Sequence, residues 1–192
     1  MRKLILASCI LGLTACSATG ESTDTEAAEV ANQVPSTINL SGMTNEQAAD
    51  ELYQSLLKAN YLVTKVGPNR VAIQIGDQQF VLQASMNEKG VDRILANRFF
   101  AVHPQLHGSK ELLVTIGQLN QKLNFAKFFI RKNGSIIQVQ SSATFVQQIE
   151  LEELRRFMIW TDEGLRQVGK SFPEQAAELI KPVPVMQHPQ DI

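Results

Sequence analysis

The sequence predicts an α+β domain, an antiparallel sheet with helices packed on it, in the order helix, three or four strands, helix, two strands, helix. Two observations carry this. Apolar residues recur at three- and four-residue spacing in three separate stretches, and at every second position in stretches between them. The strand-like stretches also come in groups instead of alternating singly with helices, which favours antiparallel pairing.

Thr44, three residues before Gln47, forms a capping-box pattern. Ala48, Ala49, Leu52, Leu56 and Ala59 continue it as a helix ending near Asn60. Tyr61–Val66 turns β-like, Gly67-Pro68-Asn69 is a turn, and Val71, Ile73 and Ile75 alternate as a strand. Gly76-Asp77 interrupts it and Gln79–Ala84 makes the next, so the simple reading is a three-stranded meander. After a turn at Asn87–Gly90, residues 91–102 fit either a strand or a short helix; Ile94–Val102 reads better as strand. From Lys110 to Asn124, Leu112, Ile116, Leu119 and Leu123 share one helical stripe. Strands at Phe125–Arg131 and Ser135–Gln140 flank Lys132-Asn133-Gly134, a type I′ hairpin signal. Leu151, Leu154, Met158, Leu165 and Val168 line a long last helix. Pro173, Pro182, Pro184 and Pro189 make residues 173–192 an irregular tail.

The chain has 192 residues, 44% of them hydrophobic, enough for one domain with a core. Two of its 18 basic residues are Arg2 and Lys3, and four of its 19 acidic ones lie between Ser17 and Gly42. The remainder is close to neutral and lacks the basic face that nucleic acid requires.

Arg2-Lys3 followed by an apolar run to Ala15 has the layout of a secretory signal peptide, residues 1–15. The run is too short for a bilayer, which takes about 20 residues. Leu13-Thr14-Ala15-Cys16 resembles the bacterial lipobox. That resemblance implies a lipoprotein precursor, cut before Cys16, diacylglycerylated on its thiol and acylated on the new amine. Leu6-Ala7-Ser8-Cys9 fits the pattern too, but leaves an apolar run of about five residues against the usual 7–15 or so. Residues 16–42, rich in Ser, Thr, Glu, Ala and Asn, then read as the lipidated cysteine and a disordered tether of about 25–30 Å. With Cys9 removed and Cys16 alkylated, the mature chain keeps neither thiol nor disulfide. Ser17 stands where inner-membrane lipoproteins of enteric type carry aspartate, which points to an outer-membrane anchor facing the periplasm.

The chain also resembles the YbjN family, whose domains share the fold of type III secretion chaperones. The resemblance covers roughly residues 43–172. It rests on the element order, on Leu119-Asn120 through Phe125-Ala126-Lys127-Phe128 and Asn133-Gly134 to Ser135-Ile136-Ile137, and on the closing Leu151-Glu152-Glu153-Leu154 helix. It implies a fold and no common activity, so no functional residue is carried over. A lipobox departs from its cytoplasmic members.

No catalytic, cofactor or metal site is expected. His103 and His107 have a metal-compatible spacing, but Pro104 lies between them and no third ligand is near, so they read as loop residues. Glu152-Glu153 and Asp162-Glu163 read as a solvated helix face, because adjacent helical residues point apart. Arg155 and Arg156 beside Trp160 mix charge and aromatic surface and are the candidate partner surface, although such a segment is more often an amphipathic helix packed on its own domain. The functional expectation is a lipid-anchored, non-enzymatic envelope protein that binds a protein or peptide, with homodimerisation ranked below. The alternative is an envelope enzyme acting on peptidoglycan or lipid through dispersed residues.

Overall fold

The computed structural model describes residues 36–172 and 178–186. The expected signal peptide, Cys16 and most of the expected tether lie outside them. The fold is α+β with antiparallel pairing throughout, as the sequence predicts.

The first helix, α1 (Asn45–Lys58), starts on the expected capping box, with both the Thr44 and Gln47 side chains bonded to each other's backbone amides. Four strands then run as a meander: β2 (Val63–Gly67), β3 (Arg70–Ile75), β4 (Gln78–Ser85) and β5 (Asp92–Val102). The ambiguous stretch is therefore one long strand. Its alternation sends Ile94, Ala96, Arg98, Phe100 and Val102 to one face. After α2 (Lys110–Lys122), capped by Ser109, come β6 (Lys127–Arg131) and β7 (Ile136–Phe145). Lys132, Asn133 and Gly134 between them all have positive φ. Gly134 suits that turn, with φ at +98° and a Cβ that would crowd the Gly108 nitrogen at 3.1 Å.

Three strands depart from the expected order. β1 (Thr37–Asn39) pairs with β8 (Gln148–Glu150) in a separate two-stranded ribbon, Ile38 opposite Ile149. Ile38 and Leu40 are fully buried, so the folded domain includes residues assigned to the tether, and its start lies before Met43. β8 runs directly into α3 (Leu151–Lys170). β9 (Ile180–Pro182), within the expected irregular tail, pairs with the end of β5 beyond the point where β4 stops. Met186 is buried and the backbone amides of Val185 and Met186 donate to the Gln79 side chain.

The main sheet has the order β2-β3-β4-β5-β7-β6, with β9 beside β5. Register places Ile73, Phe80, Leu82, Ala96, Phe100, Ile137, Val139 and Phe128 on one face. All three helices cover that face. α1, the β1–β8 ribbon and the first half of α3 bury Leu52, Leu56, Leu154 and Met158 in one core. α2 buries Leu112 and Ile116 in a second, over β6, β7 and the end of β5. The opposite face carries amides, where Asn97 accepts from Gln138 and Gln140 and donates to the Val81 and Leu95 carbonyls.

Candidate functional site

Leu151, Leu154 and Met158 of α3 are sealed into the first core, but Leu165 and Val168, expected on the same buried stripe, are only half-buried. They line a cleft whose other wall is α2. Two local bonds set that wall. The Asn120 side chain accepts from the Phe128 N–H at 2.7 Å and donates to the Phe128 carbonyl at 2.9 Å, fixing the end of α2 against the outer edge of β6. Phe125, just past the Leu123 C-cap, then lies across Gly164, where a Cβ would stand 2.7 Å from its ring.

The cleft has two compartments. The inner one, about 770 Å³, is floored by Phe100, Phe128, Ile137 and Val139 of the sheet. Leu112, Ile116 and Leu119 wall it on one side and Leu165, Val168 and Phe172 on the other, with Arg166 and Lys170 among its few polar members. Thr115, Leu119, Val168 and Phe172 form a waist shared with the outer compartment. That second space is lined by Gln118, Lys122, Glu163, Gln167 and Ser171 together with Phe125 and Trp160. The inner surface is mainly apolar; the outer one offers amides, hydroxyls and both charges beside aromatic rings.

Trp160 meets Phe125 edge-on, with ring centroids 5.7 Å apart at 72°, and remains 55% exposed. It lies off the buried stripe of α3, and Phe125 covers it only in part. Arg155 and Arg156 line neither compartment. Both donate to Glu152, at 2.7–3.0 Å, on the exposed surface of α3. Hydrogen bonds from the two guanidiniums bring the Glu152 carboxyl down to about 2. The structure thus puts Trp160 at the cleft mouth and ties the two arginines to a carboxylate of their own helix.

Asp162 corrects the sequence reading. It is not on a solvated face: its side chain is 14% exposed and pairs at 2.7 Å with Arg98, itself 9% exposed. Arg98 also bonds Gln78 and lies over the Phe80 and Phe100 rings, at 5.5 and 5.3 Å from their centroids. Burial pulls the Arg98 pKa down against the opposing pull of Asp162. Asp162 also accepts from Arg166 at the cleft rim. A charge on an apolar strand facing an acid on the last helix was the available signal, and only the tertiary pairing connects the two.

His103 caps the Pro104–Leu106 turn, and His107 Nε2 lies 2.9 Å from the Val102 carbonyl, both in loop roles as expected. Among the described residues no three His, Cys, Asp or Glu side chains converge as metal ligands, and no helix is long and apolar enough to cross a membrane.

Neither a protein-family model nor a curated protein sequence matches the chain. Among solved structures, the chain is similar to YbjN of E. coli, a proposed transcription regulator. The identity is 18% and the TM-score 0.49, over 70% of this chain and 95% of that one. This is a likeness of fold, and it assigns no residue a role.

Proposed function

We propose that the chain is a lipid-anchored, non-enzymatic protein of the cell envelope whose folded domain binds a protein or peptide partner. The observation that carries the binding half is Trp160, more than half exposed at the mouth of a cleft edged by Gln118 and Gln167. A large amphipathic ring beside amide donors and acceptors suits a polypeptide, which presents side chains to stack and backbone groups to bond. Among the described residues the inner lining is aliphatic and aromatic apart from Thr115, Arg166 and Lys170, and the outer one mixes amides, hydroxyls, Lys122 and Glu163 with aromatic rings, a surface suited to contact with a polypeptide. The anchoring half rests on the lipobox-like Leu13-Thr14-Ala15-Cys16, and Ser17 favours the outer membrane with the domain facing the periplasm. A second copy of the chain is the lower-ranked partner. Trp160→Ala tests the binding half: partner recovery from cells should fall while the circular dichroism spectrum stays unchanged. Recovery equal to wild type would remove Trp160 from the interface.

A further inference from the structure

We infer that the inner compartment is a binding site for the hydrocarbon chain of a long-chain fatty acid, its carboxylate held at the rim by Lys170 and Arg166. This does not rest on the partner-binding reading, which uses the outer compartment.

Three observations lead there. The first is the chemistry of the walls. Among the described residues, and apart from Thr115 at the waist and the cations of the rim, the side chains lining the compartment are aliphatic or aromatic. Its floor is the face of a sheet whose backbone groups are paired between strands. A peptide backbone entering it would leave amides buried without partners, which is costly; a polymethylene chain brings no polar group to desolvate. The second is size. A volume of about 770 Å³ falls inside the range of roughly 300–1,000 Å³ typical of small-molecule sites.

The third is charge. Among the described residues no carboxylate lines the compartment, and the two charged ones that do, Arg166 and Lys170, are both cations. Arg166 is held in place by its 2.7 Å ion pair with Asp162. Lys170, one turn on, is exposed and has no ion-pair partner among the described residues. An apolar chamber with a cationic lip is complementary to an amphiphile that is apolar along its length and anionic at one end. A cationic or uncharged amphiphile gains nothing from that lip.

The test uses the full chain and cis-parinaric acid, a fluorescent long-chain fatty acid. Trp160 is the only tryptophan, and it stands at the mouth of the cleft, so energy transfer from it reports occupancy. The expected result is saturable transfer at one site per chain, displaced by laurate and not by dodecyltrimethylammonium. Val168→Phe, which fills the waist, should weaken binding about tenfold or more. Lys170→Glu, at an exposed position where folding is safe, should weaken it by about threefold to tenfold with an unchanged melting temperature. Should Val168→Phe disturb the fold, Lys170→Glu and the competition between the two detergent-like probes still decide. Equal displacement by dodecyltrimethylammonium, or full affinity in Lys170→Glu, would overturn the assignment. So would displacement by a non-acylated amphipathic peptide where laurate fails.

Discussion

Arg98 on the central strand β5 and Asp162 in the middle of α3 form an ion pair, N···O 2.7 Å, along the line where the two apolar cores meet. Ile94 and Ala96 precede Arg98 in the first core, and Phe100 and Val102 follow it next to the second. The pair fixes α3 to the sheet between Trp160 at the cleft mouth and Leu165 of the inner compartment.

Its two ends are not equivalent. Asp162→Ala leaves Arg98 buried with only Gln78 and two aromatic rings, and should cost about 3–5 kcal/mol, as for a buried pair broken from one side. Arg98→Met keeps the volume between Phe80 and Phe100, while Asp162 retains its bond to Arg166. That substitution should cost less, by about 2 kcal/mol or more. Urea denaturation of both variants checks the ranking; equal losses would mean that Arg98 contributes only as a partner of Asp162.

Asn120 acts as a strand partner made from one side chain. Its two bonds to Phe128 occupy the N–H and carbonyl that β6 would otherwise present at the edge of the sheet. Asn120→Ala should lower stability by about 1–3 kcal/mol, and Asn120→Asp should recover only part, because a carboxylate cannot donate to the Phe128 carbonyl. Denaturation midpoints of the two variants are the measurement. A neutral Asn120→Ala would show that water replaces the side chain without loss.

Glu152 gives a pH dependence with a definite sign. Its carboxyl falls from 4.5 to about 2 through hydrogen bonds from Arg155 and Arg156. A depressed carboxyl pKa stabilises the fold above the unfolded value, and this contribution is lost as pH falls from about 4.5 towards 2. All three side chains are open to solvent, so salt should weaken the effect. A carboxyl-resolved NMR titration should give a midpoint near 2 in the native chain and near 4.5 when both arginines are replaced by alanine. A native midpoint already near 4.5 would dissolve the network.

Cys16→Ser should abolish incorporation of labelled fatty acid and leave the leader attached. Labelling that persists in this variant and disappears with Cys9→Ser would move the anchor to Cys9.

The elements that dominate their own neighbourhoods were legible. The Thr44–Gln47 box specifies its helix with two local bonds, and the alternation from Ile94 to Val102 outweighs any helical period once Arg98 takes its place on the buried face. What was missed depends on distant partners. β1 is three residues in a Ser- and Thr-rich stretch, and only pairing with β8 gives Ile38 and Leu40 a core to enter. β8 has no break before α3 to mark it. β9 contains Pro182, which argues against a central strand, but it pairs on one side only, where a missing N–H is tolerated. In the candidate site, the stripes of α2 and α3 were readable as apolar, and Trp160 as part of a candidate surface. That Leu165 and Val168 would remain half-exposed is set by the distance between two helices, which no local pattern encodes. Asp162 looked solvated because its partner sits on another element.

The central claim, that this domain engages a partner at the cleft mouth of α3, is tested most directly by site-specific photocrosslinking in cells. A photoreactive phenylalanine analogue is placed at Trp160, at Gln167 and, for comparison, at Lys58 on α1. Discrete adducts of one mass from positions 160 and 167, with none from position 58, are the predicted result; an adduct at twice the chain's own mass would make the partner a second copy. Adducts of equal yield from all three positions, or from position 58 alone, would contradict the account.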